Sequence, residues 1–313
     1  MCREGAWTEL TVSVTAGLSI PGRVLGFFME KTMLVANLFI KFMIFSFMGW
    51  VYECFYCAVK SGHWDNRGFL IGPICPIYGF GATGAMLVFN ELPIFAGADT
   101  PIWKIFLVCA LGSAILEYSI SLILEKVFHA MWWDYSDMPL NINGRICVPA
   151  TTGFGVAGVV IVKFFFPWFL GKFSVVESHP YITELTGMAF AFLLGMDLAL
   201  SIAAITQLLS YLDDVQEKFD EKMEASVEAV AATPSMLKEK VSEMPTALKE
   251  KVSEVPAALI EKVGEVPAYF KEKAAGLNYR QRYHLRSIKT FKVNGKSKWF
   301  ERLRKEIKDD HIG

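Results

Sequence analysis

Five stretches of the chain are apolar over about the length, roughly 20 residues, that an α-helix needs to cross a bilayer. They cover residues 34–59, 69–90, 102–128, 146–168 and 182–208. This pattern predicts an all-α protein, a polytopic transmembrane helical bundle of about five spans. The residues before the first stretch lack a continuous apolar core, since Glu4, Glu9 and Pro21 interrupt it. We therefore expect no cleaved signal peptide.

The second apolar stretch differs from the others because prolines and glycines crowd its first half. Pro73 and Pro76 each remove a backbone donor and kink a helix. Such breaks persist at membrane depth only where protein or a water-filled cavity satisfies the freed backbone groups. We expect a broken helix in which Gly72, Pro73, Pro76 and Gly79 supply backbone to a substrate or ion site, as in many transporters. A kinked packing helix and a re-entrant segment are the alternatives.

After the apolar stretches the chain carries an 11-residue repeat. Each unit begins with a proline, namely Pro234, Pro245, Pro256 and Pro267. Apolar residues follow three, seven and ten places after the proline, which places them in one stripe of a helix. Lysines flank this stripe and glutamates lie opposite, as on a helix at a membrane interface. We expect helices bound to the interface or to a partner; a solvated spacer or an 11-residue-period coiled coil is the alternative.

These patterns divide the chain into four segments. They are an N-terminal segment 1–33, a transmembrane domain 34–208, an amphipathic helical repeat region 209–275 and a basic C-terminal tail 276–313.

Composition agrees with a membrane protein. Hydrophobic residues make up 53% of the chain and the mean hydropathy is +0.35, which excludes an ordinary soluble protein of this size. The net charge of −1 conceals a tail with 11 basic and 4 acidic residues in 276–313. Attraction to anionic lipids of the cytoplasmic leaflet explains this charge more simply than nucleic acid does. A disordered solvated tail is the alternative.

The distribution of basic residues between the spans predicts the orientation. Loops 60–68 and 127–145 hold more Lys and Arg than loops 91–101 and 169–181, and the richer side is cytoplasmic. The C-terminal tail lies on that richer side. We expect a multi-pass protein of the cell membrane with its N-terminus outside and its tail in the cytoplasm.

Ionisable residues inside spans are costly and mark candidate sites. Glu53, Glu117, Glu125 and Asp197 all fall in the middle or the tail-side half of their spans, and the loops on that side are the most polar. Arginines in those loops are natural counter-charges, Arg67 for Glu53 and Arg145 for Glu117. The predicted substrate- or ion-binding residues are Glu53, Asn66, Arg67, Glu117, Trp133, Asp134, Tyr135, Asn141, Arg145 and Asp197. An ion-pair lattice that only holds helices together is the alternative.

The sequence predicts no metal site, no cofactor and no disulfide framework. Cys54 and Cys57 form a lone C-x-x-C on a membrane helix, without a second pair or a nearby His. Four zinc ligands cannot be assembled from such a pair.

Several blocks in order resemble the ABC-transporter type IV, or CmpB-like, family of bacterial membrane proteins, over about residues 36–206. They are GWVYE at 49–53, the block 66–81, Glu117-Tyr118, WWDYSDMPLNINGRIC at 132–147, and Asp197. The resemblance implies a permease role. It also implies that the family's signature positions lie at Glu53, Asn66, Arg67, Gly68, Gly72, Pro73, Pro76, Tyr78, Gly79, Glu117, Trp133, Asp134, Tyr135, Asn141, Gly144 and Arg145, without a role for any of them.

A permease requires an ATPase, and this sequence has no phosphate-binding loop. Gly295-Lys296-Ser297 is the nearest match, but Thr290 stands where the loop needs its first glycine. We therefore expect a permease-like or transport-associated subunit with a separate ATP-binding subunit, in a homodimer or hetero-complex. Two alternatives remain. One is a membrane-embedded enzyme acting on a lipid headgroup, with Glu117 or Asp134 as base and Arg67 or Arg145 holding phosphate; the other is a non-catalytic anchor or scaffold.

Overall fold

The computed structural model describes residues 22–62, 66, 68–92, 94–95, 100–177, 179–241, 272–291 and 303–304. The elements in chain order are α1 (Gly22–Ser61), α2 (Pro76–Glu91), α3 (Ile102–Phe128), β1 (Ala130–Met131), β2 (Asn141–Ile142), β3 (Ile146–Cys147), α4 (Val148–Val160), a π-helical turn (Ile161–Phe165), α5 (Phe166–Glu177), α6 (Pro180–Val241), α7 (Tyr279–Ser287) and β4 (Thr290–Phe291). The all-α fold class is therefore confirmed.

Within the described residues, four helical segments are long and apolar enough to cross a membrane. They are Glu30–Lys60, Ile102–Phe128, Val148–Phe173 and Pro180–Lys218, and they cover four of the five predicted spans. The remaining one, predicted at 69–90, is only partly helical. Its helix α2 has 16 residues, about 24 Å at 1.5 Å per residue, which is less than the roughly 30 Å of a bilayer core.

The described residues fall into two compact units. The first takes its members from 1–120 and 136–199, and the second from 121–135 and 200–313. Helices α3 and α6 each contribute to both.

Glycines and aromatic rings pack the helices of the first unit. A Cβ on Gly79 would overlap Ser46 and Phe42 of α1, so α2 approaches α1 more closely than any larger residue there would permit. Small residues permit this close approach of membrane helices. On the same turn of α1, the ring of Phe45 lies 5.1 Å from that of Phe169 in α5, inside a buried apolar cluster.

The third long segment changes its helical period partway. The π-helical turn joins α4 to α5, just before Pro167, which has no N–H to donate to the preceding turn. Before the turn, Gly155 lies against Phe106 and Ala110 of α3. After it, Phe166 and its neighbours pack towards α1.

The second unit joins the end of α3 to α6 and to the C-terminal residues. On α6, buried residues follow helical spacing at Ser201, Ile205, Leu208, Leu212 and Val215. β1 pairs antiparallel with β4, with Ala130 opposite Phe291 and Met131 opposite Thr290. Helix α6 continues to Val241, past the first repeat proline, while residues 242–271 of the predicted repeats lie outside the described part of the chain.

Candidate functional site

The residues before α2 form a break at membrane depth. Residues 68–75 are not helical, and α2 begins at Pro76. The N–H of Cys75 donates to the carbonyl of Ser46 at 3.0 Å. Ser46 lies near the middle of the candidate span Glu30–Lys60. The break therefore reaches about halfway along α1.

Polar side chains satisfy the backbone of this break. The N–H of Gly72 donates to both carboxylate oxygens of Asp197 on α6, at 3.0 and 3.2 Å. The Asn66 amide donates to the carbonyl of Ile71 at 2.9 Å and accepts from the indole N–H of Trp50 at 2.6 Å. Irregular backbone at membrane depth requires such partners. Asp197 of α6 and Asn66, which precedes the break, supply them, and Trp50 of α1 holds Asn66 in place.

A second contact ties α2 to α1 one turn beyond the break. The Tyr78 hydroxyl donates to the Glu53 carboxylate at 2.5 Å. A Cβ on Gly49 would overlap the Tyr78 side chain, so this glycine makes the room in which the tyrosine lies. We call Glu53, Asn66, Gly72, Tyr78 and Asp197 the break cluster.

A separate polar cluster lies in the loop between α3 and α4. The Asn141 side chain accepts from the N–H of Gly144 at 3.2 Å and donates to the carbonyls of Ser136 and Met138. These bonds close a tight loop. Leu140 and Asn143 have positive φ values of 53° and 54°, which L-residues with side chains rarely adopt.

The same loop holds a buried arginine. The Arg145 guanidinium lies 5.3 Å from the centre of the Tyr118 ring, a cation–π contact. The Tyr118 hydroxyl accepts from the Asn143 amide at 3.1 Å. Glu117 and Arg145 are only 5% and 9% exposed. We call Tyr118, Asn141, Asn143 and Arg145, together with Glu117 next to Tyr118 on α3, the loop cluster.

The aromatic residues that precede this loop belong to the second unit. Trp133, Asp134 and Tyr135 are partly buried. The Asp134 carboxylate accepts from the Thr290 hydroxyl at 3.5 Å. Asp134 thus meets the C-terminal segment of its own unit.

The structure distributes the predicted site residues over three places. Glu53, Asn66 and Asp197 meet at the break together with Gly72, Pro73 and Pro76. Glu117, Asn141 and Arg145 lie in the loop cluster, and Trp133, Asp134 and Tyr135 lie in the second unit. Arg67, expected to pair with Glu53, lies outside the described residues; Tyr78 is a described partner of that carboxylate.

Sequence reasoning missed two residues at the break and one buried charge elsewhere on α1. Ser46 and Trp50 on α1 bond the break and Asn66 before it. Lys41 is only 8% exposed, and its ammonium lies 4.8 Å from the centre of the Phe173 ring. The signal for Lys41 was its charge inside an apolar stretch. Ser46 gave no signal, because a serine in a membrane helix usually bonds its own turn.

The part of the chain that the structure describes contains no cluster of side chains suited to bind a metal ion. Among the described residues, no group of three or more His, Cys, Asp or Glu side chains is placed to hold a metal ion.

Comparison with known proteins identifies a family. A family model described as "Putative ABC-transporter type IV" matches residues 40–202, which contain both polar clusters. No curated protein and no solved structure matches the chain.

Proposed function

The chain belongs to the type IV ABC-transporter family, and we propose that it is a permease-like subunit whose polar site is the break cluster. Its apolar helices and its family make it a membrane-embedded, transport-associated protein. The finer proposal adds that ATP hydrolysis comes from a separate subunit, in a homodimer or hetero-complex of the cell membrane with the tail in the cytoplasm.

The observation that carries this proposal is the discontinuous second helix. A shortened helix that follows a break at membrane depth, with the backbone of the break bonded to the Asp197 side chain of α6 and to the Ser46 carbonyl of α1, resembles the discontinuous helices with which many transporters bind substrate or ions. A helix that served only for packing would need neither the Asp197 carboxylate on the Gly72 N–H nor the Asn66 amide on the Ile71 carbonyl.

The two carboxylates of the cluster suggest how binding would move the helix. Asp197 holds the break to α6, and Glu53 holds the first turn of α2 to α1. Hydrogen bonds to a charged acceptor are about twice as strong as neutral ones. A proton or cation that neutralises either carboxylate therefore loosens α2 from that helix and frees the break to shift.

The test uses the full-length protein, purified in mild detergent from membranes of its own host. We expect an ATP-binding subunit to co-purify with wild type, Glu53→Gln, Asp197→Asn and the control Glu184→Gln. Glu184 is also on α6, but it bonds Thr32, away from the break. In proteoliposomes, ATP turnover by the complex should fall at least tenfold in the two cluster variants and stay within twofold of wild type in the control.

Two results would overturn the proposal. One is a wild-type protein that purifies without a nucleotide-binding subunit even after cross-linking in the membrane. The other is equal turnover in all four complexes. A third result would support an enzyme acting on a lipid headgroup instead. In it, no nucleotide-binding subunit is present, and wild type retains one phospholipid that the cluster variants lose.

A further inference from the structure

The C-terminal segment 272–291 is fixed to the second unit at both ends. Near its start, the carbonyl of Lys273 accepts from the Tyr211 hydroxyl of α6 at 2.8 Å. Near its end, the N–H of Lys289 donates to the carbonyl of Met131 at 2.7 Å, and β4 pairs with β1. Between these ends lies α7, whose residues Tyr283, His284 and Leu285 are buried.

The exposed side of this segment is basic. Residues 272–291 hold five Lys or Arg and one acid, Glu272. Tyr279, Arg280, Arg286 and Lys289 are exposed, and we call these four the basic face. Arg282 is partly buried and its guanidinium bonds the carbonyls of Ala275 and Leu277, so its position is fixed.

The basic face lies where the helices of its unit leave the membrane. On α3 the last exposed large hydrophobic residue is Val127, and β1 follows within three residues. On α6 the corresponding residue is Ile202, and Tyr211 lies nine residues farther, about 13 Å at 1.5 Å per residue. We take the last exposed large hydrophobic residues of α3 and α6 as the edge of the apolar zone. Segment 272–291 then begins about 13 Å outside this edge and returns to it.

That distance is within electrostatic reach of the lipid headgroups. The headgroup layer adds several ångströms to each side of the hydrocarbon core, and charges interact over a Debye length of about 8–10 Å at physiological salt. Exposed acids of α6 begin at Asp213 and continue away from the membrane, so the basic residues lie on the membrane side of them.

We propose that the basic face binds anionic phospholipid headgroups of the membrane that this chain spans. Arg280, Arg286 and Lys289 supply the positive charge. Tyr279, which is 73% exposed, supplies an amphipathic ring of the kind found at the headgroup level. The proposal does not depend on transport through the break cluster, which lies in the first unit.

A membrane partner fits this surface better than nucleic acid does. Binding to nucleic acid needs a basic surface that is free to approach it from solution, whereas β1–β4 pairing holds this one at the end of α3. Each basic residue near an anionic membrane contributes about 1 kcal/mol of attraction. Loss of two such residues therefore corresponds to about a 25-fold change in affinity.

The experiment measures lipid preference of the full-length protein by native mass spectrometry. Protein in neutral detergent receives phosphatidylglycerol and phosphatidylcholine at equal concentration, and the ratio of the two bound lipids is recorded. We expect wild type to prefer phosphatidylglycerol and Arg286→Gln/Lys289→Gln to lower this preference about 25-fold. The charge-preserving variant Arg286→Lys/Lys289→Arg should behave as wild type, and so should Lys31→Gln/Lys172→Gln, which removes two exposed charges in the first unit.

Salt and a competing ligand complete the test. Raising ionic strength from 50 to 500 mM should abolish the preference of the wild type, because screening weakens exposed charges. An unchanged preference in the Gln variant, or an equal loss in the Lys31/Lys172 control, overturns the proposal. So does a Gln variant that loses only the binding of a single-stranded oligonucleotide, since the partner would then be nucleic acid.

Discussion

The hydrogen bond between Tyr78 and Glu53 is a contact of the break cluster whose strength can be measured without knowing a substrate. Tyr78→Phe removes the donor, Glu53→Gln removes the charge, and the double variant closes a cycle. The free energy of unfolding of all four proteins yields the coupling between the two side chains. Each substitution is nearly isosteric, so neither leaves a cavity.

Two magnitudes bear on the expected coupling. Hydrogen bonds between membrane helices contribute about 0.6 kcal/mol on average and about 1.7 kcal/mol at most in the best-studied case. Bonds to a charged group contribute roughly 1.5–3 kcal/mol in soluble proteins. The carboxylate acceptor places this bond at the upper end of the membrane range. The amide oxygen that Glu53→Gln introduces still accepts from Tyr78, so the cycle reports the part of the bond that depends on the charge, about half of it. We therefore expect a coupling of about 0.8 kcal/mol.

The assay is equilibrium unfolding of the purified protein by SDS titration in mixed micelles, followed by tryptophan fluorescence. Tyr52→Phe provides the matched control cycle with Glu53→Gln. Tyr52 is 56% exposed and its ring centre lies 6.0 Å from that of Tyr78, so its coupling to Glu53 should be near zero. A Tyr78 coupling below about 0.5 kcal/mol, or a Tyr52 coupling of equal size, would refute the reasoning.

Three further outcomes are expected. Asp197→Ala should cost about 1–3 kcal/mol of unfolding free energy in the same titration by leaving the Gly72 N–H without its acceptor, and Asp197→Asn less; equal costs would contradict this. Gly79→Val should cost about 1–3 kcal/mol by overpacking against Ser46 and Phe42, whereas Gly84→Val, whose Cβ meets nothing within 4 Å, should cost much less. Burial lowers the pKa of His284 from 6.5 to about 4. The unfolded state therefore binds a proton at His284 more readily than the folded state does. The contribution of neutral His284 to the free energy of unfolding of the second unit is fully present above pH 6.5. It is lost as the pH falls towards 4, by about 3 kcal/mol in all. Hydrogen exchange of residues 279–287 between pH 7.5 and 4.5 should report this loss, and His284→Leu should abolish it.

The apolar helices follow directly from the sequence, because crossing a bilayer requires a length and a composition that are visible without any tertiary information. The second stretch shows the limit of that reasoning. Hydropathy counts the apolar side chains of 69–75 as part of a span. The prolines and glycines among them leave backbone groups that distant residues such as Asp197 help to satisfy, and α2 begins only at Pro76.

The candidate site was less accessible to prediction because its contacts join distant parts of the chain. Intramembrane charge singled out Glu53 and Asp197. It suggested Arg67, which lies outside the described residues, as a partner of Glu53 and suggested none for Asp197. The structure pairs Glu53 with Tyr78 and Asp197 with the N–H of Gly72, 125 residues away. A backbone partner leaves no trace in side-chain chemistry, so no pattern of residue types could reveal it.

The π-helical turn at Ile161–Phe165 has a consequence for how the chain tolerates changes in length. A π-bulge holds one residue more than the α-helical path requires, and each α-helical residue turns the helix by about 100°. Deletion of one residue within the turn would make Val148–Glu177 a regular helix and rotate Phe166, Phe169 and Phe173 away from α1 by that angle. Gly155 and Gly158 would keep their contacts with α3. The extra residue of the π-helical turn thus allows one membrane-spanning segment to pack against α3 before the turn and, on a different side, against α1 after it.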